Sequence, residues 1–235
     1  MKIRGRRECG DCGHRWSYYE TGEVACPECG SLRSTGLDDR TEHTDAPVTL
    51  DLTAARNRVD DGLLDAAMDA AETCREYVRQ AGFINGGELK PLTDTYLAAA
   101  ELSAVARTLD RSMRVDDASE LYLLSLLRGT DLDDRPGPEE VPDSLRASRA
   151  LAYARAVDDY RSDLRTYLDE RPDPAASAVL QRIGEHVRRV EALDGEVDPA
   201  DSERLARAAQ DVSEYLLAGD EGTLATARGR LDDVG

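Results

Sequence analysis

Four of the five cysteines lie in two pairs, Cys9-Gly-Asp-Cys12 and Cys26-Pro-Glu-Cys29. Thiolates are soft ligands, and four of them at paired Cys-x-x-Cys spacing suit a tetrahedral ion, zinc first and mononuclear iron as its rival. Gly13 and Gly30 each follow the second cysteine of a pair, where a tight knuckle needs a positive φ, and Pro27 stiffens the second turn. Backbone N–H groups in such turns point at the sulfurs and stabilise thiolates. The expected cofactor is one structural Zn2+ held by Cys9, Cys12, Cys26 and Cys29. A segment of about 35 residues buries too little surface to fold alone, so metal binding would be its folding energy.

The pairs have to be brought together. Arg15 to Glu20 alternates and is aromatic-rich, Thr21-Gly22 reads as a turn, and Glu23 to Ala25 as a returning strand, which predicts a hairpin. With a Cys-Gly-x-Cys-Gly knuckle, an aromatic strand carrying Trp16, Tyr18 and Tyr19, and a Cys-Pro-x-Cys-Gly knuckle, residues 1–33 resemble a zinc ribbon, and within that class the transcription-factor-B type. The whole chain is similar to haloarchaeal proteins that carry such a ribbon. The resemblance implies a metal-stabilised module associated with transcription. It stops at the ribbon, because transcription factor B continues with a basic linker and cyclin-like repeats, and neither is visible here.

Residues 34–50 are polar and acidic and read as a linker. From residue 51 the apolar residues recur at helical spacing almost to the end. Asp51 is placed to cap a long helix reaching Ala81, with Ala67, Ala70, Cys74 and Tyr77 on its apolar stripe. Further helices are expected over about 92–112, 117–128 and 143–171. Asp173-Pro174 and Asp198-Pro199 each set an N-cap acid before a proline at the first helical position, and a short helix follows Asp220. The acidic, Pro/Gly-rich stretch 129–142 is a loop that could divide the helical part in two. The expected fold is mainly α: an antiparallel bundle of about six to seven helices over 51–235, preceded by a small β zinc ribbon.

The 235 residues carry 48 acidic and 30 basic side chains, a net charge of −18, and only Lys2 and Lys90 are lysines. An Asp-rich, Lys-poor composition resembles that of proteins from salt-accumulating halophiles, where dense carboxylates keep a surface hydrated. Residues 1–35 hold six basic and five acidic residues, so the ribbon is the one part not strongly repelled by a polyanion. No apolar h-region follows Met1, and the longest apolar run, near Leu121–Leu127, falls far below the ~18 residues of a membrane helix. A soluble, cytoplasmic protein without a membrane partner is the expectation.

No phosphate-cradling glycine loop and no nucleophile–base motif is present, which predicts that the protein is not an enzyme. A di-iron bundle needs Glu-x-x-His pairs, yet only His186 lies among the helices and Ile183 stands three residues before it. His14 reads as a surface neighbour of the first knuckle, His43 as solvated, and His186 as part of a small basic face with Arg182 and Arg189. Cys74 reads as core. Arg4, Arg6, Arg7 and Arg15 are candidate phosphate contacts and Trp16 and Tyr18 candidate stacking platforms. The same arginines could equally balance nearby acids while Trp16 forms the ribbon core. A protein partner is the easier expectation, because hydrophobic contacts survive salt and phosphate attraction does not. Self-association through Leu and Ala stripes is a third arrangement.

Overall fold

The computed structural model describes all 235 residues. The N-terminal part holds β1 (Lys2–Ile3), β2 (Arg6–Cys9), β3 (Arg15–Ser17), the single-turn α1 (Tyr18–Thr21), β4 (Ser34–Gly36) and β5 (Thr41–Glu42). β2 is the centre of a three-stranded antiparallel sheet, with β3 on one side and β4 on the other. The register sets Arg7 opposite Trp16 and Glu8 opposite Arg15.

The expected hairpin partner, Glu23 to Ala25, is not a strand. After β3 the chain turns helically through α1 and Gly22 closes the turn with φ 67°. The Glu23 carbonyl accepts from Trp16 Nε1 at 3.0 Å, so it is engaged by a side chain rather than a ladder. The strand that completes the sheet is β4, which pairs Ser34 with Cys9 and lies inside the stretch expected to be a linker. That stretch is structured further on. β5 pairs with β1, and His43, Asp45 and Leu50 are buried.

The helical part contains the single-turn α2 (Thr53–Arg56), α3 (Leu63–Gln80), a small hairpin of β6 (Ile84–Asn85) and β7 (Glu88–Leu89), then α4 (Asp94–Asp110), α5 (Asp117–Gly129), α6 (Arg146–Glu170), α7 (Pro174–Ala192), α8 (Pro199–Ala218) and α9 (Glu221–Asp232). The fold is mainly α with a small N-terminal β region, as the periodicity predicts. Seven of its helices exceed a single turn. The capping signals at Asp173 and Asp198 act as read, accepting from Ala176 N and Ala200 N at 2.9 and 2.8 Å, and Asp116 caps α5 in the same way through Ser119 N at 2.9 Å.

The first long helix is where the expectation fails. Asp51 does accept from Thr53 N at 2.8 Å, but only one turn follows. Asn57-Arg-Val-Asp-Asp-Gly62 is rich in residues whose side chains compete with helical backbone bonds, and it closes on itself through Arg58 N to Ala55 O and Gly62 N to Arg58 O. Asp131 fixes the detached turn by accepting from Leu52 N and pairing with Arg56.

The apolar residues form two adjoining cores. One joins α6, α7, α8 and α9 with Phe83, Leu92 and Leu97. The other joins α3 and α5 with Leu102, Val105 and Leu109. α4 gives residues to both, and α6 packs against α4, α7 and α8. The 129–142 connection, wound into 3-10 turns at Thr130–Leu132 and Pro138–Glu140, links α5 of the second core to α6 of the first.

The ribbon is seated on this helical body through residues 41–45. Thr44 Oγ1 donates to Asp163 Oδ2 at 2.6 Å, Phe83 N donates to the same oxygen at 2.8 Å, and Lys2 pairs with Glu170 at 2.5 Å. Gly82 meets the Thr44 backbone so closely that a Cβ there would stand 2.3 Å from its carbonyl carbon.

Candidate metal centre

Each cysteine pair folds into the same turn. In the first, Cys9 N donates to His14 O at 2.8 Å and Gly13 N to Cys9 O at 3.1 Å; in the second, Cys26 N donates to Ser31 O at 2.8 Å and Gly30 N to Cys26 O at 2.8 Å. Gly13 and Gly30 take φ of 74° and 72°, the left-handed conformation that the sequence assigns to them. Leading cysteines Cys9 and Cys26 are buried, whereas Cys12 and Cys29 are exposed, so the two knuckles present their sulfurs in like fashion.

The four sulfurs meet. Cys9 Sγ lies 3.6 Å from Cys29 Sγ, Cys12 Sγ lies 3.7 Å from Cys26 Sγ, and all four lie within 4.8 Å of one another. A tetrahedron with metal–sulfur bonds of about 2.3 Å has edges of about 3.8 Å, so the donor set fits a tetrahedral ion. Four protein ligands would leave such an ion no open position. The site therefore has the chemistry of a clasp rather than of a Lewis acid.

The electrostatics of the thiols point the same way. Hydrogen bonds from the backbone of Cys12 and Asp11 bring the Cys9 thiol down to about 6. The amide of His14 draws Cys12 down, but burial and the adjoining Cys29, Cys9 and Cys26 sulfurs outweigh it and push Cys12 up to about 12. Four adjoining sulfurs cannot all be anionic without a cation among them, so metal uptake has to release protons.

The other sequence-derived candidates scatter. Trp16 is 8 % exposed and forms a small core with Cys9 and Cys26, so it cannot serve as a stacking platform. His14 stacks on Trp16 at 6.3 Å and lies outside the sulfur cluster. Arg15 pairs with Glu8 across the strands at 2.5 Å, Arg7 Nε donates to Ser34 Oγ, and Arg4 donates to Gly36 O. Arg6 is exposed, and its backbone is held at both ends, the N–H by Asp38 and the carbonyl by Leu37 N, while its side chain makes no hydrogen bond. Tyr18 is half-buried with its ring against His43. His43 is the clearest correction: it is buried, edge-on to Tyr18 and 4.8 Å from Tyr19, with Nδ1 accepting from Gly86 N at 3.2 Å. Cys74 is buried in the α3 core, where burial pushes its thiol up to about 12, as befits a packing residue.

A family model matches residues 1–231, which takes in the ribbon and all of the helices. The chain belongs to this family of unknown function, DUF7117. No curated protein and no solved structure matches it. The matched span makes the four-cysteine ribbon and the helical body parts of one DUF7117 unit, and the family description itself assigns neither a metal nor a role.

Sequence reasoning missed the residues that seat the ribbon. His43 and Asp45 stand in a polar stretch without periodicity. Asp45 reaches Lys90 Nζ at 2.7 Å and Gly82 N at 3.2 Å across more than 35 residues. No local spacing encodes such contacts. The one available signal was that Lys90 is one of only two lysines in an arginine-rich chain. No helix of the structure is long and apolar enough to cross a membrane.

Proposed function

We propose that this DUF7117 protein is a zinc-dependent adaptor: one structural zinc ion on Cys9, Cys12, Cys26 and Cys29 folds the ribbon, and the ribbon and helical body together form a recognition surface for a protein partner. The observation that carries the metal part is the sulfur tetrahedron. Four thiolates at tetrahedral spacing hold zinc or iron alike, and zinc is put first because the helices carry no companion redox centre of the Glu-x-x-His kind. Exposed apolar side chains on the ribbon, Leu32 at 73 % and Val24 and Leu37 at 48 %, support protein contact there. Nucleic-acid contact is the weaker reading. Trp16 is buried, Arg15 is paired, and the net charge of −18 repels phosphates. The dense carboxylate surface also suits a salt-rich medium, in which phosphate attraction fades first. The likeness of the knuckles to transcription-factor-B ribbons makes transcription machinery the first partner to look for.

Protein purified without added metal is expected to hold one equivalent of zinc and to be colourless, with the zinc lost in Cys9→Ser/Cys29→Ser and kept in Cys74→Ser. A metal-free chain whose ribbon NMR signals are the same with and without zinc would end the zinc reading. Affinity purification after nuclease treatment tests the adaptor reading. A specific protein retained by the native chain and lost on Leu32→Asp supports it, and no protein retained above a control lacking the tagged chain refutes it.

A further inference from the structure

In a chain with 48 acidic residues, arginines without an acidic partner are conspicuous, and several gather in one groove. The groove runs between α3, α4 and α6. Its narrow part, about 160 Å³, is lined by Arg75, Arg107 and Arg155. It continues into a wider part of about 340 Å³ that shares Arg107 and Arg155 and adds Arg111. The floor is made of small side chains, Ala104 and Ala152 in both parts and Ala100 and Ala156 in the narrow one. Small residues let α4 and α6 approach and leave the guanidinium groups standing as walls.

Arg107, Arg111 and Arg155 form no ion pair, in contrast with Arg79, which is held by Glu76 at 2.5 Å. Arg75 reaches Glu72 only at 3.7 Å. Arg107 is half-buried and tethered, because its Nε donates to Ser103 O at 2.7 Å, while its two terminal nitrogens have no partner in the fold. Burial and the charges of Arg75, Arg111 and Arg155 hold its guanidinium below the ordinary arginine value. Two hydroxyls in the wider part are engaged within the fold: Thr108 Oγ1 donates to Ala104 O at 3.0 Å and lies 2.8 Å from Ser148 Oγ, so the arginines are the donors left for a ligand. The one acid lining the narrow part is Asp159, a helical turn from Arg155, whose charge acts on its carboxyl without closing to an ion pair, and it lies at the end away from Arg111.

We infer that this groove is a binding site for a small polyanion of the phosphate class, with Arg107 and Arg155 as its principal ligands and Arg75 and Arg111 completing the cation set. Guanidinium groups match phosphate oxygens in fork geometry, and a convergent cation set is relieved by an anion placed among them. A small anion fits better than a nucleic-acid strand, because a strand leaving the groove would meet a surface that is strongly acidic on balance. The site contains no ribbon residue, so it stands or falls independently of the zinc.

The test is calorimetric titration of the full-length protein with inorganic pyrophosphate, and separately with orthophosphate, at ionic strength held constant with sodium chloride. Saturable one-to-one binding is expected, tighter for pyrophosphate, and at least tenfold weaker in Arg107→Gln and in Arg155→Gln. Arg182→Gln, which breaks a distant pair with Asp232, should bind as the native chain does. Without anion, the melting temperature of Arg155→Gln should equal or exceed that of the native chain, because a repulsive charge has been removed; a fall would mark Arg155 as structural and overturn its assignment. No saturation with either probe, or equal weakening in Arg182→Gln, overturns the site. A short DNA duplex that displaces pyrophosphate through the same arginines overturns the small-anion class.

Discussion

His43 shows how one side chain can hold a junction. Its ring sits between Tyr18 and Tyr19 of the ribbon, and Nδ1 accepts from Gly86 N in the helical part. Burial lowers its pKa, the N-terminal and Lys90 charges lower it further, and Asp45 acts the other way. His43 is thus neutral in the fold near pH 7, and protonation would abolish its acceptor. The unfolded chain takes up the proton first. The contribution of His43 to stability is therefore complete above its unfolded value of 6.5 and is lost as pH falls from there through the lower folded value. NMR titration should place the His43 midpoint below 6.5; a midpoint at or above 6.5 would show that the ring is solvated. The cysteines illustrate the opposite case, in which local sequence sets the geometry: a glycine at a fixed offset gives each knuckle its positive φ and so aims two sulfurs.

The helices owe their starts to short-range chemistry and their extents to packing. Asp173 caps α7 through Ala176 N and also accepts from Tyr215 Oη of α8 at 2.8 Å. Loss of a cap costs about 1 kcal/mol, and the bond to Tyr215 adds to that, so Asp173→Ala should destabilise the fold by about 1–2 kcal/mol. Asp173→Asn, which keeps an acceptor at the cap, should recover most of the loss. Denaturant melts measure both, and equal losses in the two variants would rule out capping as the cause. The periodicity of α7 and α8 is regular enough to read from the chain because each buries one face, whereas α6 packs against α4, α7 and α8 and is buried on more than one side. The apolar spacing from Ala55 to Ala81 is continuous and so predicts one helix from Asp51, but Asn57–Gly62 is poor in helix formers and α3 begins only at Leu63. Propensity decided there, aided by Asp131 from another part of the chain.

The two cores are joined by a buried ionic network. Arg149 and Glu101 are fully buried and paired at 3.2 Å, and Arg149 also bonds Tyr122 Oη at 2.8 Å, Pro136 O at 3.1 Å and Glu203 at 3.0 Å. Arg135 completes it with Glu203 at 2.7 Å and Tyr153 Oη at 2.7 Å. Burial alone would raise the Glu203 carboxyl, but Arg135 and Arg149 hold it down at about 2. The network ties α4, α5, α6 and α8 to the 129–142 connection, and thereby fixes how the two cores sit together. Removing one partner of a buried pair strands the other charge. Arg149→Met should then cost about 3–5 kcal/mol, and Glu101→Leu/Arg149→Met should cost less than the sum of the single changes. Urea unfolding of the three variants measures the coupling, and additive losses would refute it.

The cysteine pairs whose sulfurs meet, the knuckle glycines, the helix starts after 116, 173, 198 and 220 and the mainly α class were legible in the chain, because each rests on residues within a few positions of one another. A Cys-x-x-Cys turn, an N-cap or an amphipathic stripe is a local physical object. The strand that completes the ribbon, the burial of His43 and Asp45, the Glu101–Arg149 pair and the arginine-lined groove all join residues dozens of positions apart. No local spacing encodes them. They arise when burial gathers the cores and every polar group trapped with them must find a partner, or, in the groove, is left facing solvent without one.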